Sequence, residues 1–326
     1  SSTPSQSSGG APSSGTTSSS ATEISLWSFN IGGFTEASNW DSLIAAFNEA
    51  NPDIKVTVTP INYQDGDQKL TNAITSGTGP DIIFEGPERI VGNYAREGLM
   101  VDLSDLWENG GSDIPEGISS VSQLDGTYYM YPLSVAAHCM AINLDAFKAA
   151  GADQYIDLET RTWSTDNFIK AVEALYAEFG STVGAVYCGG QGGDQGTRAL
   201  INNMYGGTFT NADHTAYTWD DPKNIQAIEQ LLSMDGIAFD ASLQGGDEIA
   251  KFYQGALKMA FCWNSAQQLN PNNADTGEGK TVTGEEIVYM NFPTADGSPA
   301  ELCGGIWGFG IFDKGDAAKI EAAKKF

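Results

Sequence analysis

The sequence predicts an α/β protein, and three observations carry that prediction. The run Ile82-Ile83-Phe84, entered through Gly79-Pro80 and left through Glu85-Gly86-Pro87, is short and continuously apolar, as a strand covered on both faces must be. Trp40, Leu43, Ile44 and Phe47 recur at helical spacing between two strand-like segments, one over residues 24–29 and one in which Ile54, Val56 and Val58 alternate. At 326 residues the chain is long enough to build two lobes, each with its own core.

Taken in order, residues 1–20 contain only Ser, Thr, Gly, Pro, Ala and Gln. Such a segment cannot offset its own ordering entropy, so residues 1–22 are expected to form a flexible tether, either the spacer of a surface lipoprotein or a generic disordered tail. The strand over 24–29 follows, then a helix capped by Ser38 or Asn39 and ended before Pro52. After the alternating strand come a helix around 69–74, the Ile82 strand, and a helix opening on Pro87, where a missing N–H costs nothing. Repetition of β-α-β predicts a parallel sheet. Farther along, Ser164 caps a run in which Phe168, Val172, Leu175, Tyr176 and Phe179 share one face. Asp221-Pro222 then starts a helix carrying Ile225, Ile228 and Leu232, so a second α/β lobe is expected.

Ligands of open α/β sheets settle beyond the carboxyl ends of the strands, which is where Glu85, Glu88 and Arg89 fall. Glu88 and Arg89 read equally well as first-turn helix residues facing water. With 42 acidic against 16 basic residues the net charge is -26, which repels phosphate backbones and argues against nucleic-acid binding. No apolar run approaches the roughly 20 residues of a membrane-spanning helix. Two histidines, with no zinc-protease helix motif, paired CxxC or nucleophile elbow, imply no metal or cofactor. Composition leaves a pair of glycosidase carboxylates open.

Four segments, "GPDIIFEGPERIVGNYAREGLMVDL", "YPLSVAAHCMAINLDAF", "FYQGALKMAFCWN" and "GGIWGFGIF", resemble in their order the landmarks of the extracellular solute-binding proteins that serve ABC importers, above all the sugar-binding branch typified by maltose-binding protein. The resemblance implies the type II periplasmic-binding-protein-like fold, two hinge-linked α/β lobes with a ligand cleft between them. It places the first lobe at 23–134, the second at 135–262 and the return to the first at 263–326, with hinges over 134–136 and 261–264. Ending inside a helix, where relatives continue, the chain reads as a C-terminally incomplete copy. The function implied is non-enzymatic: a monomer that captures an oligosaccharide and delivers it to an ABC permease, touching the membrane only through an N-terminal lipid anchor. A secreted carbohydrate-active hydrolase is the alternative from another class, and the same fold holding a peptide or other polar solute is a third.

Residue by residue, Glu85 stands where the sugar-binding relatives carry a Trp, and Glu88 and Arg89 match an acidic-basic pair that holds sugar. Trp27 to Asn30 match a cleft-lining first loop, and Asp194, with Gln195 and Arg198 after it, falls near a sugar-binding glutamate. A hinge glutamate is replaced by Ala136. Pyranose C–H faces stack on aromatic rings and their hydroxyls take carboxylate, amide and guanidinium partners, so Trp27, Trp263 and Trp307 are candidate platforms and Asn30, Asn264 and Tyr205 candidate polar contacts. Trp163, before a capped helix, reads as structural. His138 reads either as a cleft residue or as a satisfied core histidine. Cys139, Cys188, Cys262 and Cys303 read as buried thiols, with Cys139 and Cys262 the first pair to test for a disulfide.

Overall fold

In the chain's computed structural model, the structure describes residues 21–186, 194–212, 215–243, 245–270 and 275–326. Residues 1–20 of the expected tether, Cys188 and residues 189–193 therefore lie outside the described residues.

The first lobe begins with β1 (Thr22–Phe29), β2 (Ile54–Ile61) and β3 (Ile82–Glu85), followed by the small hairpin β4 (Gln123–Leu124) and β5 (Thr127–Tyr128) and then β6 (Tyr131–Val135). The chain crosses into a second lobe built on β7 (Cys139–Asn143), β8 (Gly184–Val186), β9 (Ile237–Phe239), β10 (Met259–Trp263) and β11 (Ile287–Met290), and returns as β12 (Ile306–Ile311). In the first lobe the sheet order is β2-β1-β3-β12-β6. The expected parallel arrangement holds for β1, β2 and β3, whereas β12 runs antiparallel to β3 and β6. The reason is connectivity: β12 returns from the second lobe rather than through a β-α-β unit, so it is reversed, while β6 runs in the direction of β3. β3 is central, and all its residues are buried, which is why Ile82-Ile83-Phe84 shows no alternation.

Local signals place most first-lobe elements. The helix Asp41–Ala50 is preceded by the turn Ala37–Trp40, and Asn39 acts by reaching back to the Glu36 N–H (2.7 Å), so the cap begins at Glu36 rather than at Ser38 or Asn39. Pro87 is the first residue of its helix. Leu26, Phe29, Trp40, Ile83 and Phe84 are fully buried together in the core of this lobe.

β7, β10 and β11 form the antiparallel sheet β10-β7-β11 of the second lobe, beside the parallel pair β8-β9. Ser164 caps Thr165–Phe179 by accepting from the Asn167 N–H (3.2 Å), and Asp221 caps Pro222–Leu232 by accepting from the Lys223 N–H (2.9 Å). Trp163 is 3 % exposed and its indole N–H donates to the Asn291 carbonyl (2.8 Å), a structural role.

This topology corrects the domain boundaries. β10 pairs with β7, and Val288, Met290 and Phe292 pack in the second lobe's core, so residues 263–270 and 275–303 belong to the second lobe. The lobes are joined by residues 136–138 between β6 and β7 and by residues 303–305 leading into β12. The expected hinge over 261–264 is instead the buried end of β10 and the cap of the helix that follows it. At the crossing, the Ala136 N–H donates to the Gly305 carbonyl (2.7 Å) and the His138 N–H to the Cys303 carbonyl (3.2 Å). Gly305 has φ +152, and a Cβ there would fall 1.7 Å from the Ala136 oxygen, so two backbones touch where the lobes meet.

Candidate functional site

Strand ends build a cleft of ≈ 450 Å³ between the lobes. From the first lobe, Asn30 follows β1, Tyr63 follows β2, and Glu85, Glu88 and Arg89 end β3 and open the next helix. From the crossing segments come His138, Gly304, Gly305 and Trp307. The second lobe contributes Gln195 and Arg198 from the helix Asp194–Tyr205, and Asn264 with Gln267 from the turn after β10.

The first-lobe wall is a rigid charged cluster. Glu85 is 1 % exposed and accepts from the Tyr63 hydroxyl (3.0 Å) and from the Arg89 guanidinium. Arg89 also forks onto Asp67, with Nε to Oδ1 at 2.7 Å and a terminal nitrogen to Oδ2 at 2.9 Å, and its guanidinium carbon lies 4.9 Å above the Phe29 ring. Burial pushes the Glu85 carboxyl up to about 7, the Arg89 charge opposing and Glu88 adding to the shift. Burial beside Glu85 also raises the Tyr63 phenol, which stays protonated as a donor. Glu88 is exposed, and its carboxylate lies against Gly86, where a Cβ would come 2.5 Å from one oxygen.

His138 sits where the lobes cross and has both ring nitrogens engaged. Nδ1 lies 2.8 Å from the Gly304 carbonyl and Nε2 lies 3.1 Å from Asn264 Nδ2. A carbonyl only accepts, so the proton is on Nδ1, and Nε2 accepts from the Asn264 amide. Burial holds the imidazole below its ordinary range. Asn264 Oδ1 meanwhile accepts from the Ala266 N–H (2.8 Å), so this side chain is fixed from both ends.

Gln195 is the opposite case. The residue lines the cleft, while its Oε1 is buried with no donor among the described residues. Gly196 lets its helix close onto β10, because a Cβ there would lie 2.0 Å from the Phe261 oxygen.

Most of the residues named from sequence meet in this cleft, and Trp263, Trp27 and Tyr205 do not. Trp263 is 0 % exposed, donates its indole N–H to Gln268 Oε1 (2.9 Å) and packs against Phe252 and Tyr253, so it is a core residue of the second lobe. Trp27 packs on the first lobe's core and is not in the cleft wall. Tyr205 packs on the second lobe's core. Asp194 opens its helix, but its side chain lies outside the described residues. Cys139 is a thiol that donates to the Trp263 carbonyl (3.5 Å) and is pushed up to about 12 by burial, with nearby Cys303 adding to the shift. The register partner of Cys139 on β10 is Trp263, and no disulfide joins Cys139 to Cys262. Sequence reading missed Tyr63 and Asp67, although Tyr63 follows a strand just as Glu85 does and the same strand-end argument would have found it.

The fold is shared with known binding proteins. Over 94% of this chain and 75% of its own, the GacH receptor of Streptomyces glaucescens, whose structures include complexes with acarbose and an acarbose homolog, superposes with a TM-score of 0.72 at 16% identity. The diacetylchitobiose binding protein DasA of Streptomyces coelicolor is 26% identical over 286 residues, 80% of this chain and 63% of DasA. The sn-glycerol-3-phosphate-binding periplasmic protein UgpB of Brucella abortus is 28% identical over 151 residues, 44% of this chain and 34% of UgpB. The chain thus spans less than two thirds of the length of these curated relatives. The bacterial extracellular solute-binding protein family model matches residues 32–326, and with this two-lobed fold and interlobe cleft the chain belongs to that family.

Proposed function

We propose that the protein captures an oligosaccharide in the interlobe cleft, as a monomer outside the cytoplasmic membrane, and hands it to an ABC permease. The observation that carries this reading is the pairing in one cleft of an indole, Trp307, with carboxylate, amide and guanidinium side chains, among them Glu88, Asn30 and Arg198. Such a wall suits a solute that is apolar on its ring faces and hydroxylated at its rim. The diacetylchitobiose named for DasA supports a saccharide. The glycerol phosphate named for UgpB is a poorer match, because Arg89 is already held by Asp67 and Glu85 while Glu85 and Glu88 repel a phosphate. Closure works by differential affinity: a ligand touching Glu88 on one lobe and Gln195 on the other binds the closed state better and shifts the population toward it.

A lipid anchor before Ser1 completes the proposal, with the segment ahead of β1 as its spacer. The protein is non-enzymatic in this reading, since a receptor must release its solute intact and gains nothing from an acid-nucleophile pair. A thermal-shift panel of saccharides, peptides and glycerol phosphate tests the ligand class, because only a bound solute raises the melting temperature by mass action. Chromatography of the best binder after long incubation tests the rest. Cleavage products that vanish in Glu88→Gln would replace the receptor with a hydrolase.

A further inference from the structure

A chain of hydrogen bonds runs in one sense from the lobe crossing into the cleft wall, with His138 at its head. His138 Nδ1 donates to the Gly304 carbonyl (2.8 Å), and Nε2 accepts from Asn264 Nδ2 (3.1 Å). Asn264 Oδ1 is committed in turn to the Ala266 N–H (2.8 Å), and the Asn264 N–H donates to Gln267 Oε1 (3.0 Å). His138, Asn264 and Gln267 all line the cleft. The first two are 9% and 7% exposed, so water is a poor substitute for a lost partner.

Everything depends on which end of the Asn264 amide meets the imidazole. With Nε2 unprotonated, the amide nitrogen donates to the ring and the amide oxygen caps the helix Ser265–Gln268. A proton on Nε2 puts two donors face to face. Turning the amide over to offer its oxygen removes the cap from Ala266 and sets the amide nitrogen against that N–H, whereas leaving it in place breaks the link to His138. Either way Asn264 loses one of its partners, and Gln267, held by the Asn264 N–H, loses a fixed support.

The surroundings do not favour the charged ring. Cys139 and Cys303 flank His138 on the two crossing segments, and the Trp307 ring meets it edge-on at 6.3 Å. The titratable groups that share the cleft are Tyr63, Glu85, Glu88 and Arg89 from the first lobe and Arg198 from the second, and Glu85 is already engaged by Tyr63 and Arg89. Burial lowers the imidazole pKa and the Gly304 carbonyl opposes that shift. The neutral, fully bonded arrangement is therefore complete above 6.5 and is lost as pH falls toward the depressed value.

We infer that His138 is a proton-operated joint: protonating its ring releases Asn264 and Gln267 from their fixed places in the second-lobe wall, so the protein holds solute at neutral pH and loosens its hold in acid. The inference rests on the capture reading above and adds a regulation of that site.

The chain has two histidines, so His214→Gln leaves a single imidazole signal to follow by NMR. On acidification the Asn264 side-chain amide and the Ala266 and Gln267 backbone amides are expected to shift with the midpoint of the His138 ring, and His138→Gln to abolish those shifts. Asn264→Asp, which places an acceptor where the amide nitrogen donates, raises the midpoint of the ring by about one pH unit or more. Calorimetry with diacetylchitobiose and with maltotriose, at about pH 7.5 and about pH 5, reads capture, and the loss of affinity in acid is expected to be smaller in His138→Gln than in the unmodified protein. Amides that ignore the His138 titration, or a ring midpoint unmoved by Asn264→Asp, overturn the joint. An equal loss of affinity in His138→Gln overturns its coupling to capture. Failure of both sugars to bind overturns the saccharide reading alone, since the amide titration decides the joint without them.

Discussion

Arg89 holds the β3 end together before any ligand arrives. Its guanidinium balances Glu85, which is 1 % exposed, and forks onto Asp67. Arg89→Ala is therefore expected to lower stability by about 3 kcal/mol or more, as for a buried pair with one partner removed. Urea denaturation reads this, and Arg89→Ala placed in a Glu85→Gln background should cost much less. Equal costs in the two backgrounds would mean that the pair does not couple.

Glu85 and His138 also set opposite pH dependences. The Glu85 carboxyl is raised from 4.5 to about 7 by burial, so the folded state holds a proton that the unfolded state has lost. Its contribution is complete below its ordinary range and disappears as pH rises through about 7. Glu85→Gln should lose less stability between pH 5 and pH 8 than the unmodified protein, as the shift in urea midpoint shows. Burial lowers the His138 pKa, so its contribution is complete above the ordinary value of 6.5 and is lost as pH falls toward the depressed one. Protonating Nε2 would set a donor against the Asn264 amide. His138→Gln should therefore reduce the loss of stability on acidification below pH 6.5, and an unchanged acid limb would remove His138 from that role.

At the scale of elements, caps and crossings make different demands. Ser164 satisfies one N–H at the start of Thr165–Phe179, and Ser164→Ala should cost about 1 kcal/mol in urea denaturation with the lobes otherwise unaltered. Gly305 is less forgiving. A methyl at its Cβ position falls 1.7 Å from the Ala136 oxygen at a φ of +152, so Gly305→Ala must part the two crossing segments. The expected loss is about 2 kcal/mol or more, together with faster amide exchange at Ala136 and His138. Wild-type exchange there would show that the crossing relaxes without separating. Helices and the interior strands were legible in sequence because capping residues and apolar spacing are local. The fate of β10 was not, since the apolar run Met259–Trp263 has the same composition whether it crosses between lobes or pairs with β7.

For the whole molecule, the two joined crossings and the cleft between the lobes predict compaction on binding. Small-angle scattering with a saccharide that raises the melting temperature should give a smaller radius of gyration than the free protein. Tight binding at constant radius would assign recognition to a preformed site. By itself the sequence determined the α/β class, the buried β3 strand, and the polar residues at its end. Those depend on periodicity and on where a strand must stop. Trp263 and Trp307 are chemically equivalent in sequence, yet one is sealed between Phe252 and Tyr253 and the other faces the cleft. Only tertiary structure decided between them, as it decided that the chain re-enters the first lobe at β12, because both depend on which surfaces meet across the whole length of the chain.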